Sequence, residues 1–156
     1  MEKIPTVFDR DWNGNRGVVP VSRVVIPLEA IATEKLDGTN VRLTVRNHTL
    51  VRVEKRRNPD KIQKHKGIEE PWYVDASEYS PEDKWIYDAA RHTDISTVPD
   101  GEWSGEAVGP DIQGNPLNLE HNQVMLFSLG RYSVFEDCPT EFEELKAWLP
   151  QQRSKY

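Results

Sequence analysis

The sequence predicts an α+β fold, and three observations predict it. Apolar and polar residues alternate through Val41-Arg42-Leu43-Thr44-Val45-Arg46 and again through Val51-Arg52-Val53-Glu54, with Asn47-His48 between them, the pattern of a half-buried β-hairpin. A continuous apolar run, Val124-Met125-Leu126-Phe127-Ser128-Leu129, reads as a buried strand. Two segments begin with helix-start chemistry, Ser80-Pro81-Glu82-Asp83 and Thr140 with Glu143.

At 156 residues the chain predicts a single domain over 1–156 with room for a core. Hydrophobic residues make up 37% and charged residues 29%, and five Trp offset some of the missing aliphatic bulk. A net charge of −6 argues against a protein that coats nucleic acid over its whole surface, yet leaves space for a local basic groove. The single cysteine, Cys138, excludes an internal disulfide and a cysteine-based zinc site. No apolar run approaches the roughly 20 residues of a membrane span. Met1-Glu2-Lys3-Ile4-Pro5 lacks the apolar core of a signal peptide. The expectation is a soluble, cytoplasmic protein without a membrane partner.

Taken in order, Asn13-Gly14-Asn15-Arg16-Gly17 predicts a tight turn, with residues 6–8 and 18–21 as the arms of a hairpin. Residues 24–31 predict a strand, bent or at an edge around Pro27. The 41–54 hairpin follows. Residues 55–66 then gather Lys55, Arg56, Arg57, Lys61, Lys64 and Lys66 around His65. Such a run reads either as a solvated face or as a patch that contacts phosphates. Ser80 predicts a helix cap with Pro81 at the first helical position, and Trp85, Ile86, Ala89 and Ala90 form the apolar face. Residues 102–109 are short and mixed, with glycines on either side of Glu106. Gly109-Pro110-Asp111 and Gly114-Asn115-Pro116 predict turns. A last helix over 140–149 carries Phe142, Leu145 and Leu149 on one face, before a polar tail.

Much chemistry is excluded by pattern. No Gly-rich loop of the P-loop or dinucleotide kind occurs, and His48, His65, His92 and His121 lack metal-ligand spacing. Lys35 stands out, between Glu34 and Asp37 and beside Gly38, with Thr39 and Asn40 following. Read alone, it is a salt-bridged surface lysine or a nucleophile. An amine with a pKa of about 10.4 is protonated at neutral pH and needs desolvation, a neighbouring cation or a metal before it attacks.

Lys35-Leu36-Asp37-Gly38-Thr39-Asn40 resembles the Lys-x-(Asp/His)-Gly nucleotidyltransferase motif of ATP-dependent ligases and capping enzymes, and with Glu34 it is similar to RNA ligases of the RNA ligase 2 type. Val53-Glu54-Lys55-Arg56-Arg57 falls where that family has a hairpin arm ending in Lys-Arg. Gly105-Glu106-Ala107-Val108-Gly109-Pro110-Asp111-Ile112-Gln113 resembles its Gly-Glu-x-x-Gly-Pro-x-Ile-Gln segment, and the strand with Phe127 its aromatic strand. The resemblance covers roughly residues 28–129. It implies an antiparallel nucleotidyltransferase domain (the ATP-grasp-like adenylylation fold of ligases). It further implies ATP and Mg2+, and RNA or DNA ends as partners. Lys35 would attack the α-phosphate of ATP, carry AMP as a lysyl adenylate and pass it to a 5′-phosphate end. Glu34 would contact adenine. Asp37, Gly38 and Asn40 would shape the nucleophile loop, and Arg56 would contact the nucleotide or a terminal sugar. Glu106 would bind ribose hydroxyls, and Phe127 would stack on adenine. Arg57, Lys61 and Lys64 would meet nucleic-acid phosphates.

The sequence departs from the family after Phe127. The Glu-Gly segment that supplies a metal-binding carboxylate is not found, nor is the Lys-x-Lys strand that contacts the α-phosphate. The domain is therefore expected to be incomplete at its C-terminus, and this chain alone to adenylylate poorly. The alternative is a non-catalytic nucleotide- or nucleic-acid-binding remnant of the fold. Asp37 follows the DNA ligase form of the motif, which leaves RNA and DNA both open as substrates.

Overall fold

The computed structural model describes residues 6–127 and 134–154. In chain order the elements are β1 (Phe8–Arg10), β2 (Val18–Ser22), β3 (Ala32–Thr33), β4 (Thr39–Arg46), β5 (Thr49–Arg57), α1 (Lys61–His65), β6 (Trp72–Asp75), α2 (Lys84–His92), β7 (Gly101–Val108), β8 (Gln123–Leu126), β9 (Val134–Phe135) and α3 (Phe142–Trp148), closed by a 3₁₀ turn at Leu149–Gln151. The architecture is α+β with antiparallel strand pairing throughout these elements. Among the described residues no helix is long and apolar enough to cross a membrane. The chain contacts divide into two compact units, Lys35–Tyr132 with the first two residues, and Lys3–Glu34 with Ser133–Tyr156.

The larger unit is built on a five-stranded sheet in the order β6-β5-β4-β7-β8. The β4–β5 hairpin forms as its alternation predicts. Asn47 and His48 take φ of 50° and 55°, as a two-residue hairpin turn requires, and Asp100 Oδ1 accepts the Asn47 N–H at 2.7 Å. One detail departs from strict alternation. Thr44 pairs with Arg52 but Val45 pairs with Leu50, so Val51 is the extra residue of a β-bulge. Leu50 therefore packs against the core, while Val51 is 56% exposed.

One face of the sheet is apolar. Val41, Leu43, Val45, Val53, Ala107, Val124 and Leu126 meet Ile86, Ala89 and Ala90 of α2 there. Helix α2 starts later than its sequence predicts. Ser80 to Asp83 form a turn, and Asp83 is the N-cap residue but makes no side-chain cap. Its carboxylate is taken instead by Lys55 Nζ and the Ser77 N–H. Trp85, expected on the apolar face, sits at its margin, 36% exposed. Residues 102–109, expected to be short and mixed, lie almost entirely in the eight-residue strand β7. The apolar run at 124–129 is a strand only through Leu126 among the described residues. Phe127 is a turn residue, and Ser128 and Leu129 lie outside them.

In the smaller unit, β1 pairs with β2 and β3 with β9. The expected N-terminal hairpin is present. Residues 24–31 do not form the expected strand: Pro27 has no N–H to give a ladder, and its carbonyl closes a turn with the Ala30 N–H at 3.0 Å. Val25 and Leu28 are fully exposed as a result. Helix α3 has Glu141 as its N-cap residue, with no side-chain cap, instead of a Thr140–Glu143 capping box. Phe142 and Trp148 are half-buried, with edge-to-face partners Phe8 at 5.1 Å and Phe135 at 5.5 Å. Leu149 falls outside this face, 55% exposed.

Candidate functional site

The other face of the five-stranded sheet is polar, and register decides which side chains share it. Directly paired residues in an antiparallel sheet point to the same side. Asn40 pairs with Glu106, Arg42 with both Ser104 and Glu54, and Arg56 with Tyr73, so these residues stand on one surface. Met125 pairs with Glu106 on β8. Phe127 continues the ladder, donating its N–H to the Ser104 carbonyl at 3.0 Å, and the residue is 42% exposed.

Glu106 is the chemical centre of this surface. Burial pushes its pKa above the ordinary carboxylate range. Four groups act the other way and favour the ionised form: the side-chain amide of Asn40 first, then the charges of Lys35 and Arg56, then the N–H of Gly38. Asn40 Nδ2 lies 3.4 Å from Glu106 Oε2 and 3.2 Å from the Gly105 carbonyl oxygen. Asn40 thus lies against one half-buried carboxylate, whose ionised form the charges of Lys35 and Arg56 and the Gly38 N–H also favour.

Gly38 explains how the loop comes so close. A Cβ on this residue would lie 2.2 Å from the Ala107 carbonyl oxygen and 2.9 Å from Glu106 Cγ. Any side chain at this position forces the backbone off β7 and away from Glu106. Lys35 itself is exposed, with Nζ 3.5 Å from the Leu36 carbonyl oxygen, while Leu36 is buried and anchors the loop. Asp37 is exposed. Glu34 belongs to the smaller unit.

The basic run at 55–66 does not act as one patch. Lys55 is nearly buried and bonded to Asp83, with Glu82 at 3.8 Å. Arg57 faces Glu82 at 3.6 Å. Lys61 and Lys64 lie three residues apart on α1, both exposed. Asp60 and Gln63 complete a capping box that holds this short helix. An open cleft of about 330 Å³ lies beside the run, lined by Thr39, Lys55, Arg56, Arg57, Asp111 and Gln113 among others. Its Asp111 side is fixed by Asn122, which is buried, donates to Asp88 Oδ2 at 2.8 Å and Asp111 Oδ2 at 3.0 Å, and accepts the Asp111 N–H at 3.2 Å.

The polar face also carries side chains that local pattern does not reveal. Tyr73 donates to Asn40 Oδ1 at 2.8 Å and lies 3.2 Å from Ser104 Oγ. Arg42 stacks over the Tyr73 ring at 4.6 Å and is gripped by Glu54, with Glu102 at 3.0 Å. Among the described residues no group of three or more His, Cys, Asp or Glu side chains fits a metal ion. Comparison with protein-family models, with curated proteins and with solved structures gives no match to this chain in any of the three.

Proposed function

We propose that the polar face of the five-stranded sheet is a nucleotide site, and that the chain is an ATP-dependent polynucleotide-ligase-like nucleotidyltransferase with Lys35 as its nucleophile. The observation that carries this reading is the convergence on Glu106. Residues from three separate sequence segments that resemble ligase motifs, Lys35-Gly38-Asn40, Arg56 and Glu106, act on one carboxylate. Coincidental matches to unrelated motifs would not be expected to meet in space.

In this reading ATP is a substrate. Once its ammonium has given a proton to solvent, the amine of Lys35 forms a bond to the α-phosphorus while the bond from that phosphorus to the bridging oxygen breaks. Pyrophosphate leaves, and the amine proton passes to solvent. Ionised Glu106 accepts the ribose hydroxyls, Arg56 supplies positive charge, and Phe127 offers an aromatic face to the base. The AMP then passes to a 5′-phosphate end of RNA or DNA. Any magnesium arrives with the nucleotide's phosphates.

A second reading is a non-catalytic nucleotide-binding domain, and a specific observation favours it. Two arginines of this face are already committed: Arg42 to Glu54 and Glu102, and Arg52 to Glu54 and Asp75. They are not free to hold a triphosphate. Intact mass after incubation with ATP and magnesium separates the two readings. A gain of one AMP, abolished in Lys35→Ala, supports the enzyme. Saturable ATP binding without the adduct supports the binding domain. No ATP binding at all overturns both.

A further inference from the structure

We propose that Tyr73 is a positioning residue for Glu106, acting by fixing the side-chain amide of Asn40. The nucleotide-site reading supplies only the ligand for this arrangement. The arrangement itself follows from the count of donors and acceptors.

A backbone carbonyl only accepts, so the Gly105 oxygen, 3.2 Å from the amide, faces the Nδ2 end of Asn40. Oδ1 then faces Tyr73, whose single hydroxyl proton goes to it at 2.8 Å. With that proton used, the contact at 3.2 Å to Ser104 Oγ requires the serine to donate to the phenol oxygen. The chain of hydrogen bonds is therefore directed. It runs from the Ser104 hydroxyl to the Tyr73 oxygen, from the Tyr73 proton to Asn40 Oδ1, and from Asn40 Nδ2 to Glu106 Oε2 at 3.4 Å. It ends on a group that must offer a lone pair, which the ionised carboxylate does from either oxygen.

Tyr73 is itself fixed from two sides. Its strand β6 pairs with β5, and the guanidinium of Arg42 covers its ring. Asn40 is the foremost of the groups that favour the ionised form of Glu106 against its burial, ahead of the Lys35 and Arg56 charges and the Gly38 N–H. A misplaced amide would thus leave the carboxylate easier to protonate and less able to accept two sugar hydroxyls.

The test needs no nucleotide. The carboxyl carbon of Glu106 is followed by NMR against pH in the native chain, in Tyr73→Phe, in Asn40→Ala and in the double variant. Tyr73→Phe keeps the ring under Arg42 and removes only the hydroxyl, with its bonds to Asn40 and Ser104. Its Glu106 midpoint is expected to move up by about half a pH unit, the order of one neutral hydrogen bond. Asn40→Ala should move it at least as far, and the double variant no further than Asn40→Ala alone. An unchanged midpoint in Tyr73→Phe overturns the proposal, as does a Tyr73→Phe shift that persists in full on the Asn40→Ala background. ATP against 2′-deoxy-ATP affinity then examines the nucleotide reading separately. A native chain that binds neither sinks that reading, while the titration still decides the role of Tyr73.

Discussion

Arg42 and Glu54 meet across β4 and β5 through two parallel contacts, Nε to Oε2 at 2.7 Å and Nη2 to Oε1 at 2.8 Å. The glutamate side chain is 2% exposed and the arginine 26%. An acid this deep requires its partners, and Arg52 adds a further contact at 3.3 Å. The Glu54 bond holds the guanidinium firmly protonated, against the smaller opposing effect of burial. Glu54→Ala should destabilise the chain by about 3 kcal/mol, toward the lower end for a broken buried pair because Arg42 keeps some solvent contact. Urea unfolding measures this, and a loss under about 1 kcal/mol would reduce the pair to the weight of a surface bridge.

Gly38→Ala probes the approach of the Lys35–Asn40 loop to β7. The added methyl would meet the Ala107 backbone oxygen, which has no rotamer to change, so the loop must retreat. Stability should fall by about 1–3 kcal/mol, the range for overpacking. ATP binding should fall further than the drop in folded fraction accounts for, because the retreat withdraws the Gly38 N–H from Glu106. Thermal melts alongside ATP titration measure the two effects. Wild-type ATP affinity in a stably folded Gly38→Ala chain would refute the role given to this contact.

Glu106 gives a pH signature. Its pKa in the fold is raised from 4.5, mainly by desolvation, so between that value and the raised one the folded chain holds more proton than the unfolded chain. Its contribution to stability is complete below about 4.5 and is lost as pH rises through the folded value. Glu106→Gln does not titrate. The stability of the native chain relative to this variant should therefore decline as pH rises from 4.5. Paired denaturant curves at several pH values read the difference directly. A gap that stays flat, or that widens in favour of the native chain, contradicts the assigned cause.

The hairpin at the centre of the sheet was legible because a period of two, interrupted by a two-residue turn, has few other solutions. The bulge at Val51 was not, since it depends on which residue of the opposite strand each one meets. Residues 24–31 carry strand-forming side chains, but Pro27 cannot complete a ladder, and composition alone does not register a missing partner. At the site, Lys35, Arg56, Glu106 and Phe127 could be singled out through resemblance to ligase motifs. Tyr73 could not, because its importance comes from pairing with Arg56 and bonding to Asn40, neither of which leaves a local mark. Ser80 does accept the Glu82 N–H on its hydroxyl at 3.3 Å, but only a turn follows it and the helix proper opens after Asp83, whereas Thr140 yields the N-cap position to its neighbour Glu141.

Lys61 and Lys64 provide the test of nucleic-acid contact. Lys55 and Arg57 of the same run are spent on Asp83 and Glu82, so the exposed pair on α1 is the more available for phosphates. Each lysine that neutralises a phosphate of a duplex releases counterions and steepens the fall of log affinity with log salt by about 0.9. Binding to a short nicked duplex, measured at several salt concentrations, should lose about that slope in Lys61→Ala and again in Lys64→Ala. Affinity should weaken alike for all sequences, since phosphate contacts carry no base information. Stability should stay within about 0.5 kcal/mol of the native chain, because both side chains are exposed. A slope unchanged in the double variant would return this run to an ordinary solvated face.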